Sequence, residues 1–194
     1  IFVDPYPFDE LVAILKGLNP EIPEAILTSL VTINARVEEM VVQKKIGGRD
    51  LERYHFNLRN LNRLSRRIAG GTEHLLREIN DIYIEPFRAP EDRQKIQETA
   101  AAVIKEILDL DANFTESRQV QIQVASNSIT IGRASPGVGS SGFSEIAKTA
   151  LHDFPPVESR LLTLESLSTA LASGENVLLE CDSDVEPEDY VEFF

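Results

Sequence analysis

The chain has 194 residues, a single cysteine, no tryptophan and a formal net charge of −13. This length holds one domain or two small ones, and a 42% hydrophobic composition is ordinary for a globular protein. No apolar run reaches the length of a membrane span and no signal peptide is visible; the lone Cys181 excludes an internal disulfide, and no cysteine pair or histidine cluster suggests zinc.

Residues 1–6 read as an extended lead-in, held out of helix by Pro5 and Pro7. Asp9 and Glu10 suit a first helical turn. Leu11, Ile14, Leu15 and Leu18 form the apolar face of a helix ending near residues 17–20. A second helix starts at Pro23-Glu24, with Ile26, Leu30, Ile33, Val37, Met40 and Val41 as its stripe. An irregular basic connection with Gly47-Gly48 follows. Leu58, Leu61, Leu64 and Ile68 then recur at helical spacing, with Asn57 as a good N-cap and Gly70-Gly71 as a stop. Arg59, Arg63 and Arg67 fall four apart and share another face. Leu75, Leu76, Ile79 and Ile82 predict a helix over 72–83. Pro86 and Pro90 bracket a break. The next helix opens on Glu91 and Asp92 and runs through Ile96, Ala100, Val103, Ile104, Ile107 and Leu108. These helices carry enough apolar surface for one small bundle.

The pattern changes near Asp109. Val120, Ile122 and Val124 alternate with glutamines, and Ile129 and Ile131 alternate again, so residues 119–133 read as a β-hairpin turning at Asn127-Ser128. Residues 134–144, rich in Gly, Ser and Pro, read as loop. Residues 157–172 read as a helix with Leu161, Leu164, Leu167 and Leu171 inward, and residues 176–179 as a short buried strand. Residues 180–192 then hold seven acidic groups and no basic one. The fold expected is mainly α: a helical bundle over residues 1–111, followed by a short α/β segment (hairpin, helix, strand) over 112–194.

The charge divides the same way. Residues 1–111 carry 15 basic and 19 acidic groups, and residues 112–194 carry 4 and 13. Within the first part, residues 44–67 hold eight basic side chains against Asp50 and Glu52. The bland reading of that patch is a solvated face, and the sharper one a phosphate site. The acidic whole disfavours general nucleic-acid binding.

Several motifs carry little. Gly137, Gly139 and Gly142 match G-x-G-x-x-G, but the strand before them alternates polar residues, so flexible loop is the better reading. His55, His74 and His152 have no metal-type spacing. An apolar strand at 176–179 followed by a loop is where a P-loop would sit. Yet Cys181 takes the first glycine position of that pattern, Glu186 the last, Pro187 the lysine and Glu188 the Ser/Thr, so every phosphate-binding group is missing.

Phe56-Asn57-Leu58-Arg59-Asn60-Leu61 resembles the W-E-F-N-L-R-D-L segment in the AAA+ modules of the midasin family, dynein-related ATPases of large-ribosomal-subunit assembly. Phe2-Val3-Asp4-Pro5 looks like the entry to that family's lid, residues 19–41 like its P-x-I-P helix, and residues 42–48 like its V-K-R-K-x-G segment. Residues 82–93 (I-Y-I-E-P-F-R-A-P-E-D-R) are similar to its Y-x-x-R-F-R-T-x-x-D-R ending. Residues 121–133, with Ile131-Gly132-Arg133, resemble the hairpin that opens the next module, and residues 161–179 its first helix and P-loop strand. The usual Trp-Glu is Tyr54-His55 here, and the usual Asp is Asn60.

The resemblance implies a small helical AAA+ lid over 1–111 and the start of a following module, with a degenerate P-loop, over 112–194. It implies that Arg59 is sensor 2, reaching the γ-phosphate of ATP held by the large subdomain, while Arg63, Arg66 and Arg67 keep the solvated reading. It implies no catalytic or metal-ligating residue here. ATP and Mg²⁺ belong to the parent protein, an ATPase that removes assembly factors from pre-60S particles in the nucleus (nucleolus and nucleoplasm). Its partners would be neighbouring AAA+ modules of the same chain and the pre-60S particle, with no membrane and no sequence-specific nucleic acid. Two alternatives stand beside this: another dynein-related or MoxR-like ATPase, and a helical interaction domain with no nucleotide role.

Overall fold

The computed structural model describes residues 6–48, 54–69, 74–114, 120–125, 129–135 and 157–179. The chain divides into two compact units, residues 1–116 and 117–194.

The first unit is a helical bundle around α2 (Glu24–Val42). This helix packs on α1 (Phe8–Leu18), α3 (Leu58–Ile68) and α5 (Pro90–Leu108). Its central place explains why burial exceeds the predicted stripe. Leu27, Val31 and Asn34 are buried together with Leu30, Ile33, Val37 and Val41. A helix enclosed from several directions needs apolar residues around most of its circumference.

The helix ends follow local chemistry. Pro90 occupies the first turn of α5, where its missing N–H costs nothing, and Glu91 and Asp92 complement the helix dipole. α2 closes in a Schellman motif: Lys45 N–H donates to Met40 O and Lys44 N–H to Val41 O, both at 2.9 Å. The left-handed position usually given to glycine is held by Lys44, at φ 56°. α1 ends differently from expectation. Leu18 stays exposed, and Asn19 turns inward instead. Its side-chain N–H groups donate to Leu15 O at 3.3 Å and to Ser65 Oγ at 3.0 Å, so a buried hydrogen bond ties the end of α1 to α3.

The helix predicted over 72–83 is two elements in the described residues: α4 (Leu75–Ile79) and a π-helical turn, Asn80–Ile84. The wider turn lets three consecutive residues, Ile82, Tyr83 and Ile84, all be buried, which the single stripe of an α-helix does not provide.

In the second unit, β1 (Ile122–Val124) and β2 (Ile129–Ile131) pair antiparallel, with Ile122 opposite Ile131 and Val124 opposite Ile129. This is the predicted hairpin, and its Asn127-Ser128 turn lies outside the described residues. α6 (Glu158–Ala172) covers the hairpin with Leu164, while Leu161, Leu162 and Leu167 are partly buried. Two expectations fail. Leu171 is exposed rather than inward, and residues 176–179 form no strand, with Leu178 84% exposed. An apolar run becomes a strand only by pairing, and no described residue pairs with it. The G-x-G-x-x-G stretch, His152 and the Cys181–Glu188 segment lie outside the described residues.

Candidate functional site

The sequence singled out Arg59, and the fold places it on the exposed first turn of α3. That helix starts where it does because Asn57 caps it. Asn57 has extended backbone (φ −130°, ψ −175°), and its side-chain oxygen accepts the Arg59 N–H at 2.9 Å. In return the Asn60 side-chain oxygen accepts the Asn57 N–H at 3.2 Å, completing a capping box. Here Asn60 does with an amide oxygen what Glu or Gln usually does at that position. No acidic residue lies in the first turn, so the positive end of the helix dipole has no carboxylate of its own there.

Two sequence-distant segments meet to aim this turn. The Tyr54 and Phe87 rings stack at 4.1 Å and 11°. Phe56 lies 5.0 Å from Tyr83 and 6.1 Å from Phe87, centroid to centroid. The Phe of the F-N-L-R stretch is therefore a buried wedge, and Leu61, Leu64 and Ile68 continue the same anchoring along α3. The turn carrying Phe87 is itself held by Arg93. Its guanidinium donates to the carbonyls of Phe87 and Glu85, the latter at 3.1 Å, and pairs with the Glu85 carboxylate at 3.5 Å. The adjoining Asp92 accepts the Gly47 N–H at 2.9 Å, and Lys95 donates to Lys45 O at 2.9 Å, fastening the loop after α2 to the start of α5.

Burial separates the arginines of α3. Arg59, Arg63 and Arg66 are exposed. Arg67 is not the solvated residue expected: its side chain is 2% exposed and pairs with Glu78, 1% exposed, at 3.1 Å. The periodicity put Arg67 on the face of Arg59, but α4 packs against the far end of that face and supplies a carboxylate. A signal existed in the sequence. Glu78 stands three residues after Leu75 and four before Ile82, on the apolar side of its helix, where an acid requires a buried cation. The hydroxyl of Tyr83, donating to Asn34 Oδ1 at 2.8 Å, was also not anticipated. Burial, with Glu38 adding to it, pushes that phenol well above its ordinary range.

Residues 10–109 match the Midasin AAA lid domain family. The chain belongs to that family. The matched range runs from α1 to the C-cap of α5, so it takes in the helices of the bundle built above. No solved structure matches the chain. A midasin lid implies neighbouring AAA modules in the same polypeptide. Among the described residues of this lid, no helix is long and apolar enough to cross a membrane, and no group of three or more His, Cys, Asp or Glu side chains could hold a metal ion. His55 is exposed and His74 begins α4.

Proposed function

We propose that this chain is part of a multi-module AAA+ ATPase that remodels pre-60S ribosomal particles in the nucleus, and that its lid transmits nucleotide state to its neighbours. The observation that carries the nucleotide role is Arg59: an exposed guanidinium on a capped helix N-terminus, in a lid of the midasin family. Donors and dipole there favour the same ligand, an anion with several acceptor oxygens, and the γ-phosphate of ATP has that chemistry. ATP and Mg²⁺ would be held by the large subdomain of the parent protein, with Arg59 contributing from the lid. A guanidinium that gains or loses a phosphate partner changes how firmly a lid docks, which is the step that would turn nucleotide state into motion. On the same reading the module that begins in the second unit lacks P-loop chemistry and does not hydrolyse ATP.

The test is Arg59→Ala in the intact parent, with ATP turnover and particle remodelling both measured. A charge-assisted hydrogen bond contributes about 1.5–3 kcal/mol, so turnover should fall about tenfold to a hundredfold. Arg59→Lys should recover only part of it, because an ammonium keeps the charge without the planar fork. Unchanged turnover and remodelling, in a parent whose first module is independently shown to be active, would refute the sensor role. A Walker A and B pair within the preceding ~150 residues, a domain-sized stretch, would support the AAA+ reading, and its absence would favour a lid-like interaction domain without nucleotide.

A further inference from the structure

We infer that Tyr83 and Asn34 form a positioning device for Arg59; this rests on the sensor role proposed above. Tyr83 touches the Phe56-Asn57-Leu58-Arg59 stretch by two routes. Its ring lies against that of Phe56, 5.0 Å between centroids. Its hydroxyl donates to Asn34 Oδ1 at 2.8 Å, and Asn34 Nδ2 donates to the Phe56 carbonyl at 3.4 Å. The peptide so held immediately precedes the helix cap, whose side chain receives the Arg59 N–H. The chain of contacts therefore runs phenol, amide, peptide, cap, sensor.

The placement of these groups is specific. Asn34 lies on central α2 and is buried, where a free amide would be costly. Its oxygen and nitrogen are both used, one toward each of two segments far from it in sequence. Tyr83 reaches it because the π-helical turn rotates that residue inward between Ile82 and Ile84; a π-turn inside a helix is an unusual feature, often found at functional sites. An apolar residue at 83 would fill the same space. The hydroxyl adds a directional restraint and pairs the buried Asn34 oxygen, and the segment it restrains ends on the residue proposed to read the phosphate. α3 is also pinned behind the cap by Asn19–Ser65 and Arg67–Glu78, so removing the Tyr83 restraint loosens the entry to the helix and leaves its body in place.

The experiment is a double-mutant cycle in the intact parent: Tyr83→Phe, Arg59→Ala and both together, with ATP turnover, thermal stability and hydrogen exchange over residues 54–61 as readouts. Loss of one net hydrogen bond corresponds to at most about a tenfold effect. Tyr83→Phe should slow turnover about threefold to tenfold, speed exchange over 54–61, and have no further effect on turnover in the Arg59→Ala background. Ile104→Val, a core change remote in sequence from this stretch, serves as the stability control: it should lower thermal stability comparably and leave turnover unchanged. If Arg59→Ala slows turnover but Tyr83→Phe does not, or if the two effects simply multiply, the positioning role is overturned and the sensor role survives. A control variant that slows turnover as much as Tyr83→Phe also overturns it. If Arg59→Ala itself changes nothing, both ideas fall.

Discussion

The two units use the same buried interaction in different surroundings. In the lid, Arg67 and Glu78 pair at 3.1 Å, with side chains 2% and 1% exposed. In the second unit, Arg133 and Glu165 pair at 3.2 Å, with side chains 3% and 1% exposed, and Glu165 also accepts the Arg133 N–H at 3.0 Å. The lid pair sits beside an extended core contributed by α1 to α5, which includes the stacked Tyr54 and Phe87 rings. The other pair sits beside a cluster whose described buried members are Val120, Ile129, Ile131 and Leu164. The fit there is close: Gly132 lies at φ 56°, and a Cβ on it would overlap the Glu165 carboxylate. An ion pair taken from water must recover a large desolvation cost through geometry. Among the described residues the lid pair is backed by the larger apolar core, and a larger core tolerates losing such a pair better than a smaller one.

The sharpest way to break this comparison is to remove one carboxylate from each pair. Stranding a buried charge costs about 3–5 kcal/mol, against a typical domain stability of about 5–15 kcal/mol. Glu165→Ala should therefore unfold the hairpin and α6, while Glu78→Ala should weaken the lid and leave it folded. Hydrogen exchange followed separately over residues 120–179 and 6–114 reads the two outcomes; equal loss of protection in both units would show that core size does not set the tolerance.

A second pair of variants sharpens the contrast between buried and exposed leucines. Leu64→Ala opens a cavity in the enclosed lid core, with an expected loss of about 2–5 kcal/mol. Leu178→Ala removes a side chain already in water and should change stability by less than about 0.5 kcal/mol. Denaturant midpoints measure both. A large effect at Leu178 would mean that residues 175–179 are buried in solution.

At neutral pH the last effect is silent, because it is a pH dependence of the lid that begins only in the alkaline range. The Tyr83 phenol has an ordinary pKa of 10.0 and is raised by burial, so the folded state holds its proton to higher pH than the unfolded state. Its contribution is full below about pH 10 and is lost above it, at about 1.4 kcal/mol per pH unit until the raised value is passed. Tyr83→Phe should remove that slope from alkaline denaturation of the lid. An unchanged slope would place the titration elsewhere.

Much of both units was legible in the sequence because the signals are local. Asn57 followed by a helical stripe marks a start, Pro90-Glu91-Asp92 marks another, and alternating Ile and Gln mark a hairpin. What could not be read was direction of burial. Leu18 and Leu171 sit at helix ends where no neighbour covers them among the described residues, although each continues its helix's apolar stripe. Residues 176–179 have the composition of a buried strand and, among the described residues, no strand partner. At the candidate site, Arg59 was singled out through its motif, and the fold adds that it is exposed on a capped turn. Tyr83 and Asn34, which hold that turn, were invisible as a pair because they are distant in sequence from each other and, for Asn34, from Phe56.

The sequence by itself determined the order of helices, the cap at Asn57 and the family resemblance that the lid match bears out. Those features depend on backbone hydrogen bonds and dihedral preferences within a few residues, which the chain encodes locally. Only the tertiary structure decided which of the arginines on α3 meets water and which meets Glu78. It also decided that a π-helical turn carries Tyr83 into the core. Both depend on which surface packs against which, and a charge or hydroxyl follows the partner that burial brings to it.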